Sequence, residues 1–265
     1  MNRDQKTSSW AAFRRRFPFW TVPITVVVAL LAWEGITLLA GLPAFMLPSP
    51  KAVGSRFLSA LVDGSLIYHT WVTLSEVLGG LALGLIVATC LGYVLAKSST
   101  IERLLAPYIV ASQSIPIVAI APLLIIWLGP GRLSKLFISA LIVFFPILVN
   151  TIVGVQSVPE DLRDLMRSLR ATRWQVFTKL EVPAAMPVLF GGLKIGATLS
   201  VIGAVVGEFV GSDEGLGFLI NVGRGIYDTA LVFVVVFDLI GMALTLYGIV
   251  TLFERRFLAW RITSS

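Results

Sequence analysis

One histidine, His69, and one cysteine, Cys90, are all that the 265 residues hold of those two types. A His/Cys metal site needs several such ligands, and acyl transfer needs a nucleophile paired with a base, so neither chemistry has its residues here. Cys90 has no second thiol to pair with and lies inside an apolar run, where a small buried hydrophobe is the plain expectation. The phosphate-cradling pattern G-x-x-x-x-G-K-[ST] is also missing. "GPGRLSK", starting at Gly129, lacks its spacing and its strand-loop-helix setting, so ATP hydrolysis by this chain is not expected. Charge is scarce as well, at 14% of residues, where an ordinary soluble domain has about 25%.

Hydrophobic residues fill the gap at 57%, and mean hydropathy is +0.89. They fall into separate long runs, the pattern of an integral membrane protein whose solvent is lipid. Crossing a hydrocarbon core takes roughly 18 to 20 residues, and six runs qualify: 20–41, 72–96, 102–128, 134–154, 188–211 and 230–253. The third holds Pro107, Pro116 and Pro122, and the fifth is glycine-rich with Lys194 near its start. Proline frees a carbonyl and kinks a helix, a defect tolerated where protein or a cavity satisfies the backbone, so both spans are expected to be packed in protein. The first run is too long for a secretory signal and contains Trp33 and Glu34, so it reads as an uncleaved span.

Arg3, Lys6, Arg14, Arg15 and Arg16 precede that span, within a segment 1–18 that the positive-inside rule places in the cytoplasm. With six spans and both termini inside, fifteen basic residues fall on inner segments and five on outer loops. The net charge of +6 is therefore a topology signal; the basic residues are spread over four inner segments, which argues against nucleic-acid binding and leaves the lipid bilayer as the charged surface they meet.

One long polar passage, "EDLRDLMRSLRATRWQVFTKLEVPAAMP" at 160–187, breaks the apolar pattern on the inner side. Ser157 with Glu160, and Thr172 with Gln175, have capping-box spacing and announce two short helices joined by a tight turn. Leu162, Leu165, Met166 and Leu169 make one apolar face, Trp174, Phe177 and Leu180 a narrower one, and Pro183 is expected to end the second helix. Such a pair either lies in the lipid headgroups or docks on another protein.

The passage resembles the cytoplasmic loop of permease subunits of binding-protein-dependent ABC importers, with its E-A-A, Gly and I-x-L-P signature. Asp164-Leu165-Met166 stands where the signature has E-A-A, Arg170 where it has Gly, and Leu180-Glu181-Val182-Pro183 at its end. Arg170 is a departure, since a glycine turn has to be made there by a side-chain-bearing residue. "FMLPSP" at 45–50, "QSIPIVAIAPLLIIWLGPG" at 113–131, "FFPILVNTIVGVQSV" at 144–158 and "GEFVGSDEGLGFLI" at 207–220 extend the likeness, towards the nitrate, sulfonate, taurine and riboflavin or thiamine-pyrimidine branch.

The resemblance implies an all-α, type I importer-like permease: a single transmembrane domain over 1–265 in the cell inner membrane, with six helices and a cytoplasmic coupling helix-turn-helix at 157–187. It implies a cytoplasmic ATPase dimer, a second permease copy in a homodimer and an external substrate-binding protein as partners, with no cofactor or metal. ATPase docking falls to Leu165, Met166, Leu169, Arg170, Arg173, Trp174 and Phe177. Cargo tilts slightly towards riboflavin or a thiamine-pyrimidine precursor over nitrate, sulfonate or taurine. Half of a dimeric ion-coupled carrier is the rival reading, though no internal repeat supports it.

Polar residues within spans are costly and point to function or to pairing. Gln113 and Ser114, before the kink at Pro116, and Asn150 are the pore-lining candidates. Glu34, Glu76, Lys194 and Asp238 need partners that the sequence does not fix. Glu208, Gly215 and Gly217 lie in a glycine- and acid-rich stretch that reads either as a plain turn or as an outer gate and binding-protein dock, with a flexible turn leading into a short helix. Residues 43–70 are expected to form an interfacial helix on the same side, with Val53, Phe57 and Leu61 on one face.

Overall fold

A computed structural model describes residues 21–41 and 43–259. All regular structure among them is helical: α1 (Thr21–Leu39), α2 (Pro50–Val62), α3 (Ser65–Ala96), α4 (Ser99–Gln113), α5 (Ile117–Leu128), α6 (Arg132–Gln156), α7 (Glu160–Ser168), α8 (Arg173–Val176), a π-helical turn (Phe177–Glu181), α9 (Val182–Gly211), α10 (Leu216–Gly225) and α11 (Thr229–Phe257). The basic segment 1–18 and Arg261 lie outside the described residues.

Four helices are long and apolar enough to cross a membrane: α3, α6, the continuous rod Arg173–Gly211, and α11. The expected third span is two helices, α4 and α5, bent by 92° at a short break, and makes a fifth only if the pair counts as one. The expected first span is α1, whose apolar part, Pro23–Leu39, is shorter than the other spans.

Small residues set the bundle. α6 lies between α3 and α9, and both neighbours present glycines to it. Gly80 and Gly84 of α3 face Ser139, Ala140 and Val143, while Gly196, Gly203 and Gly207 of α9 face Ile147, Ser139 and Lys135. Ser139, fully buried, is pinched between Gly80 and Gly203 and donates its hydroxyl to the Ser200 carbonyl at 3.0 Å. Lipid supplies no hydrophobic drive for helices to associate, so this close approach supplies the van der Waals contact that holds them. α11 completes the core through Leu231, Val234, Val235, Met242 and Leu246, and α1 leans on it by stacking Trp33 on Phe233, 5.3 Å between ring centres.

Two sequence expectations change. Pro183 does not stop α8; the chain widens into the π turn, where the Val182 N–H reaches the Phe177 carbonyl, and then runs on as α9. An extra residue per turn relieves the crowding that proline imposes on the preceding turn, so Pro183 and Pro187 sit inside one long rod. Within the single chain the α4–α5 pair is partly packed: Ala121, Ile117, Leu124 and Ile125 of α5 lie against Ile138 and Val206, and Leu105 and Ile109 of α4 reach the α3–α6 core, while Tyr108, Val110, Ile126 and Trp127 are exposed. Cys90, too, is exposed rather than buried.

α2 forms as expected, its N-terminus capped by Ser49, whose hydroxyl accepts from the Ala52 N–H at 3.2 Å. A pin from Arg56 to Asp228 at 2.7 Å ties it to the start of α11.

Gly203→Ala would set a methyl 2.5 Å from the Ser139 Cα and push two backbones apart. It should cost about 1–3 kcal/mol, whereas Gly54→Ala on α2, with open space around its Cβ position, should be neutral or stabilise by up to about 1 kcal/mol. Thermal unfolding of both purified variants in detergent checks the contrast.

Candidate functional site

Polar chemistry gathers at the two ends of the bundle. At the loop end, between α6 and α9, the passage 157–187 folds into α7 and α8. Only one of the two expected capping boxes forms. Thr172 and Gln175 exchange side-chain bonds with each other's backbone at the start of α8, while Ser157 instead donates to the Gly154 carbonyl at 2.7 Å and Pro159 precedes α7. Ser157 is still in helical conformation at the end of α6, so its hydroxyl turns back to that helix.

The turn between α7 and α8 is a Schellman motif. The Ala171 N–H reaches the Met166 carbonyl at 3.0 Å, the Arg170 N–H reaches Arg167 at 2.9 Å, and Arg170 takes the left-handed conformation with φ of 48°. Arg170 therefore makes the turn that the resemblance assigns to glycine, at a local cost of about 1–2 kcal/mol for a side chain in that region.

Two short helices held by a motif at each joint leave an apolar face uncovered. Leu165, Leu169 and Trp174 are 53%, 68% and 70% exposed, Met166 and Phe177 are half-buried beside them, and Arg170 and Arg173 are exposed around them. Phe177 turns inward, its ring 5.1 Å from Tyr93 on α3 and 5.5 Å from Trp174.

Behind that face lies a residue that sequence reasoning passed over. Glu181, at the end of the π turn, is buried and takes a hydrogen bond from the Tyr93 hydroxyl at 2.9 Å, an ion pair with Lys97, and the Arg163 guanidinium at 3.8 Å. An acid in a basic passage, one residue before the apolar span resumes, was the available signal.

The far end holds a second buried set. Glu208 on α9 accepts from the Thr73 hydroxyl at 2.6 Å and from the Gly217 N–H at 2.5 Å, so its carboxylate seats the N-terminal turn of α10. Thr73 in turn accepts the Leu216 N–H at 2.8 Å, and His69 Nδ1 accepts the Gly215 N–H at 2.9 Å. Lys135 on α6 reaches Glu76 on α3 at 3.0 Å and Ser212 at 2.6 Å. Gly215 has φ of 104°, and a Cβ there would run into the Glu208 carboxylate; one at Gly217 would meet the Glu208 Cβ at 2.8 Å. The three residues singled out from sequence are thus one contact, and the turn is bonded down rather than loose. They are buried, so the exposed surface at this end belongs to neighbours such as Asp213, Ile226 and Tyr227.

Two of the remaining intramembrane groups find partners. Lys194 pairs with Glu254 across α9 and α11, and Asp238 accepts from the Thr70 hydroxyl at 2.5 Å beside a groove between α3 and α11. Among the pore candidates, Gln113, Ser114 and Pro116 are exposed at the α4–α5 break. Asn150 is half-buried, donates to the Pro146 carbonyl at 2.8 Å and lies where a Gly192 side chain would be, which makes it a helix–helix contact.

With two polar ends, a broken helix and an uncovered helix pair established, comparison with known proteins decides the class. The family described as binding-protein-dependent transport system inner membrane component matches residues 80–259. The chain belongs to this family. It is a transport permease of the riboflavin, thiamine-precursor and sulfonate type. The riboflavin transport system permease protein of Chloroflexus aurantiacus is 47% identical over 247 residues, covering 93% of this chain and 92% of its own. The formylaminopyrimidine transport permease protein of Halalkalibacterium halodurans is 33% identical over 235 residues, covering 89% and 93%. The inward-facing MetNI methionine ABC transporter shares the fold, with a TM-score of 0.65 at 18% identity over 74% of this chain and 97% of that one.

Replacing Arg170 by Gly removes the left-handed penalty but adds backbone freedom to the unfolded turn. The net gain should be about 0.5–1 kcal/mol, seen as slower hydrogen exchange at the Arg170 and Ala171 amides, and Arg170→Val should speed exchange at both.

Proposed function

We propose that this permease forms, as a pair of identical copies, the pore of an ATP-driven importer in the cell inner membrane, with both termini in the cytoplasm. A cytoplasmic ATPase dimer grips the α7–α8 pair of each copy, and an external binding protein delivers the solute to the far end. The uncovered apolar face of Leu165, Leu169 and Trp174 carries the reading. It is offered by an element too rigid and too firmly tied down for a floating headgroup anchor, and Met, aromatic and Arg residues are the usual anchors and rim of a docking surface. Closure of the ATPases on nucleotide then draws the two pairs together and tilts the spans between inward- and outward-open states.

The distribution of basic residues supports the orientation. Gln113, Ser114 and Pro116, exposed at a break that frees backbone carbonyls, are proposed to line the pore between the copies, while Asn150 is left to helix packing. The cluster of Glu208, Gly215 and Gly217 is proposed as the far-end gate, set beneath the surface that the binding protein touches. Riboflavin or a related small heterocycle is the proposed cargo, because the riboflavin and formylaminopyrimidine permeases align over nearly their whole lengths.

Leu169→Asp puts a charge in the centre of the docking face. ATPase recovered with the tagged permease should fall by an amount matching a loss of about 2 kcal/mol or more; unchanged recovery together with unchanged transport would rule out the docking role. Vesicles holding permease and ATPase should take up riboflavin only when ATP and the binding protein are both present. Uptake by the permease alone, driven by an ion gradient, would instead establish the carrier reading.

A further inference from the structure

The way the helix pair is fastened to the spans carries an inference beyond docking, and it rests on the docking proposed above. The covalent path from α8 to α9 runs through the π turn Phe177–Glu181, a widened and less regular turn. A lever joined only through such a turn would bend there, and displacement of the pair would be lost before it reached the core.

Glu181 closes that gap. Glu181 is 1% exposed, and its carboxylate meets groups from two other elements: the Tyr93 hydroxyl at 2.9 Å and the Lys97 ammonium at the end of α3, and the Arg163 guanidinium at 3.8 Å from α7. Arg163 also donates from Nη2 to the Val155 carbonyl at 2.9 Å, which brings in the end of α6. The two cations are partly open to water, with side chains 38% and 25% exposed, whereas the carboxylate is not. Releasing it from its partners would leave a buried charge unpaired, so the joint resists opening more than a surface ion pair would.

We propose that Glu181 is the positioning residue that makes the α7–α8 pair and the loop ends of α3 and α9 move as one body, so that the motor's stroke reaches the far end of the bundle. Without it the π turn flexes and ATP is bound and hydrolysed with little change at the far end.

The test uses the assembled permease–ATPase complex in nanodiscs, in a Cys90→Ser background with Asp213→Cys as the permease's single thiol, and labelling is read on the permease band. Asp213 is exposed beside the proposed gate. Maleimide labelling at position 213 is timed with and without ATP and vanadate, and trapped nucleotide is counted in the same samples. Two variants are compared with this parent: Glu181→Gln, which keeps the side-chain shape, and Lys97→Met, which cuts one tie at a partly exposed site and leaves the carboxylate in place. Both should trap nucleotide like the parent while the nucleotide-driven change in labelling shrinks by about three- to thirtyfold.

A parental response retained in both variants would overturn the joint and leave the docking reading standing. Loss of trapping in Glu181→Gln, with Lys97→Met normal in both readouts, would make Glu181 a folding element and also overturn it. A parent that traps nucleotide with no change in labelling would overturn the coupling mechanism in the proposed function itself.

Discussion

The close approach of three helices at Ser139 is the constraint on which the rest of the structure depends. Gly80 and Gly203 leave just enough room for that serine, and the hydroxyl that would otherwise be stranded reaches the Ser200 carbonyl. In lipid the alternative to packing is another apolar contact with an acyl chain, so ordinary leucines confer little preference for one helix arrangement over another. Glycine lines that let backbones touch do confer it, and here they fix α3, α6 and α9 as a single stiff unit.

Both polar clusters are built on the ends of that same unit. Glu181 gathers α3, α7 and, through Arg163, α6 at the loop end, while Glu76, Lys135 and Glu208 gather α3, α6 and α9 at the other. Buried ion pairs such as Glu181 with Lys97 and Glu76 with Lys135 add little net stability over well-packed apolar residues, but separating them is costly, which suits joints that must keep their geometry. In the coupling proposed above, the stiff unit and its two joints would carry a stroke from one end to the other.

Much of this was legible in the sequence because it depends on local pattern. The apolar runs of α3, α6, α9 and α11, the Thr172–Gln175 capping box and the apolar face of α7 follow from periodicity and spacing alone, and the permease family was recognisable from motif order. What escaped depends on contacts between distant residues. Ser157 has capping-box spacing yet bonds back to α6, Asn150 looks like pore lining yet packs on Gly192, and Glu181 is one charged letter whose partners Tyr93 and Lys97 stand 88 and 84 residues before it. Pro183 misled for another reason: the rule that proline stops a helix assumes an α-helical turn before it, and the wider π turn removes that assumption.

The α4–α5 break differs from everything around it. Three prolines and a 92° bend leave backbone groups around Ser114 and Ile115 outside regular helix, and a spanning segment tolerates this only against protein or a water-filled cavity. Within one chain almost nothing covers it, although the same chain packs α3, α6 and α9 to contact distance. Gln113 and Ser114, bare at that break, are what the pore proposed above, formed between two copies, would need on its lining. The exposed break is therefore a further reason, separate from that given by the α7–α8 pair, for regarding the single chain as half of the working pore.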